Sequence, residues 1–322
     1  MAQAATEGVD GAGVLARAAW RLIPFLFVLY IVSFLDRVNV GFAQTAMGQA
    51  LRLDEAAFGL GAAVFFVGYA LFEIPSNLIL ARVGARRWIA CIMIIWGVLA
   101  SSTAFVHGLP TFALLRFLLG LAEAGFFPGV VLYLTYWFPQ RERARAVALF
   151  MTATAFGNIV GNPISGQIMQ HCKNFHGLAG WQWLFLLEGG PGVLLAFVVL
   201  AYLPDRPSRA RWLSPAEASW LEAEVVGGAA GGGEKHHDLV GALINPRVWQ
   251  LSFLYMTMMM SLYGLSVWLP SVARSFGPRS DGAIGLLVAI PYIAAAVGMI
   301  FAAQHSDRTG ERRWHVSIAL IV

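Results

Sequence analysis

Charge is scarce in this sequence. Asp, Glu, Lys and Arg make up 12% of its 322 residues, about half the share of a soluble domain. That shortage excludes a soluble globular chain of this length. Cysteine is scarcer still. Cys91 lies in an apolar run and Cys172 in a loop, so there is neither a disulfide framework nor a metal-ligand spacing. The glycine-rich strand–turn–helix units of a nucleotide-binding α/β fold are missing. The first 19 residues have no basic start and no cleavage site, which predicts a permanent first span rather than a removable signal peptide. The histidines, at 107, 171, 176, 236, 237, 305 and 315, read as loop or span-end positions. No intramembrane metal cluster and no paired nucleophile and base are visible. The expectation is therefore no enzyme, no metal and no cofactor, with His236 and His237 in a solvated linker.

What the chain has instead is apolar length. Hydrophobic residues make up 58% of it. Runs of about 20 apolar residues, enough to cross a bilayer, recur along it. Spans are predicted at 21–45, 57–80, 88–106, 111–136, 144–169, 182–203, 248–270 and 283–304, with a ninth starting near Trp314. The fold class is an all-α membrane protein. With the N-terminus in the cytoplasm, sixteen Lys and Arg fall in inside segments and four (Arg52, Lys173, Arg274 and Arg279) in outside loops. Arg37 and Arg116 fall within spans. The asymmetry fits the positive-inside rule, and Trp20, Trp88, Trp137, Trp181, Trp183, Trp249, Trp268 and Trp314 sit near span ends as an interfacial belt. The net charge of +4 marks topology, not nucleic-acid binding.

One long polar segment, 204–247, divides six spans from the rest. Four parts are expected: a cytoplasmic segment 1–20, a six-helix bundle 21–203, a cytoplasmic central loop 204–247, and an incomplete second bundle 248–322. Within the loop, Ser214-Pro215-Ala216-Glu217 reads as a helix start, with Ser as cap and Glu reaching back. A short helix to about Val226 and a flexible Gly227–Gly233 linker should follow. The segment Ala81-Arg82-Val83-Gly84-Ala85-Arg86-Arg87 is echoed by Asp307-Arg308-Thr309-Gly310-Glu311-Arg312-Arg313, 226 residues on. Repeated halves are a common plan of secondary carriers.

At these residues the chain resembles the major facilitator superfamily, whose loop signature is Gly-x-x-x-Asp-Arg-x-Gly-Arg-Arg. The second copy matches at Asp307, Arg308, Gly310, Arg312 and Arg313. The first keeps Arg82, Gly84, Arg86 and Arg87 but has Ala81 in place of Asp. Arg116-x-x-x-Gly120 and Gly157-x-x-x-Gly161-Asn162-Pro163-x-x-Gly166 are similar to the family's fourth- and fifth-helix motifs. Leu35-Asp36-Arg37-Val38-Asn39, Tyr69 to Asn77, and Arg116 to Pro128 are similar to the anion:cation symporter branch. The resemblance implies two six-helix bundles and twelve spans, of which about eight or nine would be present in a C-terminally truncated chain. It also implies a commonly monomeric protein of the bacterial inner membrane that carries carboxylates such as tartrate, sugar acids or aromatic acids, usually with protons. In the family the loop motif latches the halves in the outward-facing state. Arg82, Gly84, Arg86, Asp307, Arg308 and Arg312 would serve that gate here, with Ala81 weakening the first copy.

The buried charges carry the chemistry. Asp36, Arg37, Glu73, Arg116, Glu123 and Glu188 fall within spans. Each costs roughly 2.5–3.5 kcal/mol to insert at a helix centre, so none should face lipid. Arg116 and Glu123 lie seven residues apart. That is two turns, on one face, about 10 Å along the axis. Gly120 between them is expected to leave room for a ligand. Guanidinium stays charged and offers a fork matched to carboxylate, which makes Arg37 and Arg116 the expected substrate clamps. Burial disfavours the ionised carboxyl. Glu123, two turns from its arginine, is then the expected main proton carrier and Asp36 a second. Tyr69 and Asn39 are expected in the substrate site, with Asn162 and Tyr263 as further lining candidates. Glu73 and Glu188 read as structural, and simple helix-to-helix pairing is the competing reading for all of these charges.

The function expected is proton-coupled uptake of a small organic anion. A proton-independent facilitator or exchanger, or a substrate sensor of the same fold, are the alternatives. The partners expected are that anion, protons and the lipid bilayer.

Overall fold

The computed structural model describes residues 9–230, 241, 244–277, 279–311, 314 and 317–318. Among them there is no strand. The helices are α1 (Gly11–Leu51), α2 (Glu55–Val83), α3 (Ala85–Ser102), α4 (Leu109–Glu123), α5 (Phe126–Thr135), α6 (Gln140–Met151), α7 (Ala153–His171), α8 (Gly180–Tyr202), α9 (Pro215–Ala230), α10 (Pro246–Ser275) and α11 (Asp281–Thr309). Eight stretches among them are long and apolar enough to cross a membrane, and each covers one predicted span to within a residue. The ninth expected span lies mostly outside the described residues, as do Lys235, His236, His237, Arg312, Arg313 and His315.

Local chemistry explains where the boundaries differ from expectation. α1 begins ten residues before position 21, because Asp10 caps it through the Gly13 N–H at 3.1 Å and the Ala-rich stretch that follows favours helix. The fourth span is broken into α4 and α5. Pro128 cannot donate to the Ala124 carbonyl and crowds it, so the helix turns at Ala124-Gly125. The fifth span is broken at Thr152, where Thr152 and Thr154 donate their hydroxyls to the Leu149 and Met151 carbonyls. α9 starts as predicted. Ser214 N–H donates to Glu217 Oε2 at 2.8 Å, and Glu217 N–H to Ser214 Oγ at 3.3 Å. Contrary to the expected linker, helix continues through Gly227 and Gly228 to Ala230, carried by the two alanines that follow.

Small residues set the packing, as they do where apolar helices have no hydrophobic drive to associate. A Cβ on Gly120 would collide with the Phe65 carbonyl oxygen, and one on Gly68 with that of Phe117, so α2 and α4 run backbone to backbone. Gly97 and Gly189 do the same for α3 and α8. Gly120 was expected to leave room for a ligand; the room is filled by α2. Inside the bundle, Tyr30, Trp96, Phe126, Phe127 and Phe150 stack into one aromatic core.

α10 and α11 rest on α1 and α7. A Cβ on Gly41 would stand 2.7 Å from the Val267 carbonyl oxygen, and one on Gly285 2.5 Å from that of Asn162. Ser271 donates to Gln44 at 2.7 Å, and Arg274 reaches Thr45 at 3.3 Å. Lys173 meets Asp281 at 2.9 Å. These ties gather at the end of the bundle that holds Leu51 and His171.

The two loop copies occupy equivalent places. Gly84 ends α2 with φ +95° and Gly310 ends α11 with φ +68°, a left-handed region that favours glycine. Each donates its N–H four residues back, to Leu80 and Ser306, at 2.9 Å. The echo in the sequence therefore marks two helix ends that share a positive-φ glycine and its bond four residues back, although ψ differs, 147° at Gly84 and 0° at Gly310.

Candidate functional site

α1 and α4 bring the predicted charges together. Asp36 is 1% exposed, Glu123 0% and Arg116 5%. Arg37 is partly buried, and its Nε donates to Glu123 Oε2 at 3.1 Å. The pairing therefore runs across helices rather than along α4. Arg116 is left to Asp36, on which it is the strongest charged influence, and the Asp36 and Glu123 carboxyl groups interact with each other.

Neither arginine is fully used. Arg116 makes no hydrogen bond among the described residues, and its Nε is buried without a partner. Its guanidinium lies over the Phe65 ring at 4.5 Å. Arg37 stands among four rings, those of Phe34, Phe65, Tyr69 and Tyr263, at 5.4–6.0 Å. Rings at that range hold a cation without occupying its hydrogen-bonding fork. Arg37 Nη1 also donates to Tyr263 Oη at 2.8 Å, which brings α10 into the site.

Asn39 is wholly buried, and its Nδ2 donates to Asp36 Oδ1 at 3.0 Å. Tyr69 faces Arg37 with its ring. Glu73, one turn further along α2, is half-buried and joins no ion pair among the described residues. Asn162 is spent on the Asn158 carbonyl at 2.6 Å. Phe34 and Phe65 were missed by the sequence reading. Phe65 precedes Tyr69 by one helical turn, so the i, i+4 stripe was the signal that could have found it.

A sequence model of the Major Facilitator Superfamily matches residues 26–322. The chain belongs to the Major Facilitator Superfamily. A protein of Agrobacterium vitis that bears the name tartrate transporter is 49% identical over 95% of this chain and 68% of its own length. A protein of Pseudomonas putida named as the metabolite transport protein NicT is 47% identical over 95% of this chain and 70% of its own. A solved bacterial homologue of the human lysosomal transporter Spinster, inward-facing and unoccupied, superposes with a TM-score of 0.71 at 21% identity, over 90% of this chain and 63% of that one. The chain thus spans roughly two thirds of the length of these proteins. The superfamily is one of multi-pass membrane transporters, not of enzymes.

The superfamily's loop motif is engaged inside the first six spans. Arg86 N–H donates to Asp205 Oδ1 at 3.0 Å, and the Arg86 guanidinium donates to the Leu200 carbonyl. Arg82 and Arg308 are exposed, and Asp307 lies in the last turn of α11. Among the described residues no hydrogen bond or ion pair joins Arg82, Arg86 or Arg87 to Arg308. Arg312 lies outside the described residues.

Proposed function

We propose that this chain is a proton-coupled carrier of a small organic carboxylate in a bacterial inner membrane, with its N-terminus in the cytoplasm. The observation that carries the reading is the Arg37–Glu123 pair at 3.1 Å, beside an Arg116 whose side chain makes no hydrogen bond among the described residues and whose Nε is buried. A proton on Glu123 removes the anionic partner of Arg37. The freed fork and Arg116 then face a carboxylate together, bidentate and in a dry site. By linkage, the bound anion favours the proton as much as the proton favours the anion. Asp36 answers to Arg116 in the same way and serves as the second acceptor. Tyr69 and Asn39 shape the anion pocket.

The names of the relatives point to tartrate and similar metabolites as the substrate class. The arginine asymmetry supports the orientation. In that orientation, the ties between α1–α7 and α10–α11 lie on the outer side, which supports an inward-facing state. The latch expected of Arg82, Arg86, Asp307, Arg308 and Arg312 would form when the carrier turns outward.

The test is Glu123→Gln in proteoliposomes. Proton-driven uptake of a dicarboxylate should be lost, while counterflow exchange persists. Arg116→Lys should keep the charge and still weaken binding strongly, because an ammonium lacks the fork. Driven uptake that survives in E123Q rules out the proton assignment, and unchanged affinity in R116K rules out the clamp.

A further inference from the structure

Glu188 stands apart from the other buried charges. The cluster holds three carboxyl groups, Asp36, Glu123 and Glu188, against two guanidinium groups, Arg37 and Arg116. Arg37 takes Glu123, and Arg116 acts on Asp36. Among the described residues no cation pairs with Glu188, which is 2% exposed on α8.

Its surroundings are polar but not charged. Ser165 Oγ donates to Glu188 Oε1 at 2.7 Å, while Oε2 is buried without a partner. α1, α3 and α7 pack on α8. From α1, Asp36 and Asn39 act on the carboxyl group. α7 brings Ser165, its one titratable residue being His171 at its last turn. α3 faces α8 with Gly97, Ala100 and Ser101, its arginines lying in its first turn. Gly189 next door is pressed against Ser101, which fixes the height of Glu188 in the bundle.

An ionised carboxylate with no cation is strongly disfavoured in such a place. The neutral acid is not, and it carries an O–H donor. Asn39 Oδ1 is buried and also unpartnered, while Asn39 Nδ2 holds Asp36. We propose that Glu188 is a positioning residue: a permanently neutral acid that braces the Asn39 amide and so keeps Asp36 in its hydrogen-bonded state. This rests on the reading of Asp36 as a proton acceptor. A line of hydrogen-bonding groups then runs from Ser165 on α7 through Glu188 on α8 to Asn39 and Asp36 on α1. The acid supplies shape and a donor, and its proton stays in place through the cycle.

Infrared spectra of wild type and Glu188→Gln read the acid directly. The carbonyl band of a protonated carboxyl that E188Q removes should be present in the wild type at both acid and alkaline pH. Its replacement by a carboxylate band at alkaline pH would overturn the proposal. This readout does not involve transport, so it stands even where wild-type uptake proves independent of pH and the coupling reading fails. The pH profile of uptake is the second arm. E188Q keeps a neutral donor and should keep the wild-type profile. Glu188→Ala and Asn39→Ala should each move the midpoint by about one pH unit, and the double variant no further than either alone. An E188Q that loses driven uptake but keeps counterflow would make Glu188 a proton carrier and sink the proposal. So would an unmoved profile in E188A. Should E188A fail to reach the membrane, E188Q and N39A decide: a wild-type profile in the first and a shifted one in the second are required.

Discussion

The first six spans and the last two are built differently. In α4–α5, 56% of the most apolar stretch is buried, and in α3 it is 50%. In α10 it is 6%. Every charge of the candidate site belongs to the first region, inside helices locked by glycine contacts. α11 packs closely along α7 of that region, and α10 lies against α1 through the Gly41–Val267 approach and hydrogen bonds from Ser271 and Arg274. Their exposed faces are apolar, with Leu251, Phe253, Tyr255 and Met260 on α10 and Ile293, Met299 and Phe301 on α11. The first region thus holds the charges in place, and α11 packs along α7 nearly as closely as the helices of that region pack on one another. Alternating access needs the charges held tightly, because a buried ion pair tolerates little slack while the halves rock.

The largest effect should come from breaking the first region. Gly120→Leu forces a side chain into the Phe65 backbone, where no flexible group can yield. A loss of about 3 kcal/mol is expected, seen as collapse of folded yield and of anion binding together. Gly285→Leu makes a similar clash against Asn162 in the seam between the regions. Here the first six spans should stay folded, with their Trp fluorescence and thermal transition intact. Cross-linking of cysteines placed on α7 and α11 should fall. Equal damage from both substitutions would mean that the two regions are one rigid body.

Much of the helical fold was legible in the sequence, and for particular reasons. Charge costs so much in a bilayer that Asp36, Arg37, Arg116 and Glu123 stood out against an apolar background. Gly84 and Gly310 marked the repeat because few other residues end a helix in the left-handed region. Pairing was not legible. The spacing of Arg116 and Glu123 suggested a cation and a carboxyl with a ligand gap between them on α4, but contacts are set by how helices cross, and that brought Arg37 to Glu123. Gly120 was misread for the same reason, since a missing side chain can admit a ligand or a neighbouring helix. Glu188 looked structural by position alone; only its unpaired oxygen and the count of arginines set it apart.

Among the described residues Tyr263 is the one hydrogen-bonding tie from α10 to the charges of the site, through Arg37 Nη1 at 2.8 Å. Tyr263→Phe keeps the ring around Arg37 and removes the hydroxyl. Anion affinity should fall by about 0.5–1.5 kcal/mol, roughly two- to tenfold, in calorimetric titration. An unchanged affinity would assign the orientation of Arg37 to the first region alone and leave α10 as a bystander in the state described.

The smallest effect concerns α9, which follows the first region in sequence and is pinned to it. Glu217 closes the helix start with Ser214 and reaches Arg17 on α1. The Ser214 N–H and then the Arg17 guanidinium hold its carboxyl below the usual carboxylate range. A lowered value in the folded state means that the contact is complete above the ordinary glutamate value, about 4.3, and is lost as pH falls through the lowered one. Acid should therefore loosen α9 from α1 in wild type, seen as faster amide exchange in 215–226. Glu217→Gln should show that looseness already at neutral pH and no further change on acidification, with the thermal transition of the six spans scarcely moved because the pair is exposed. A large fall in that transition would show that α9 is part of the first region and not a strap laid across its arginine-rich end.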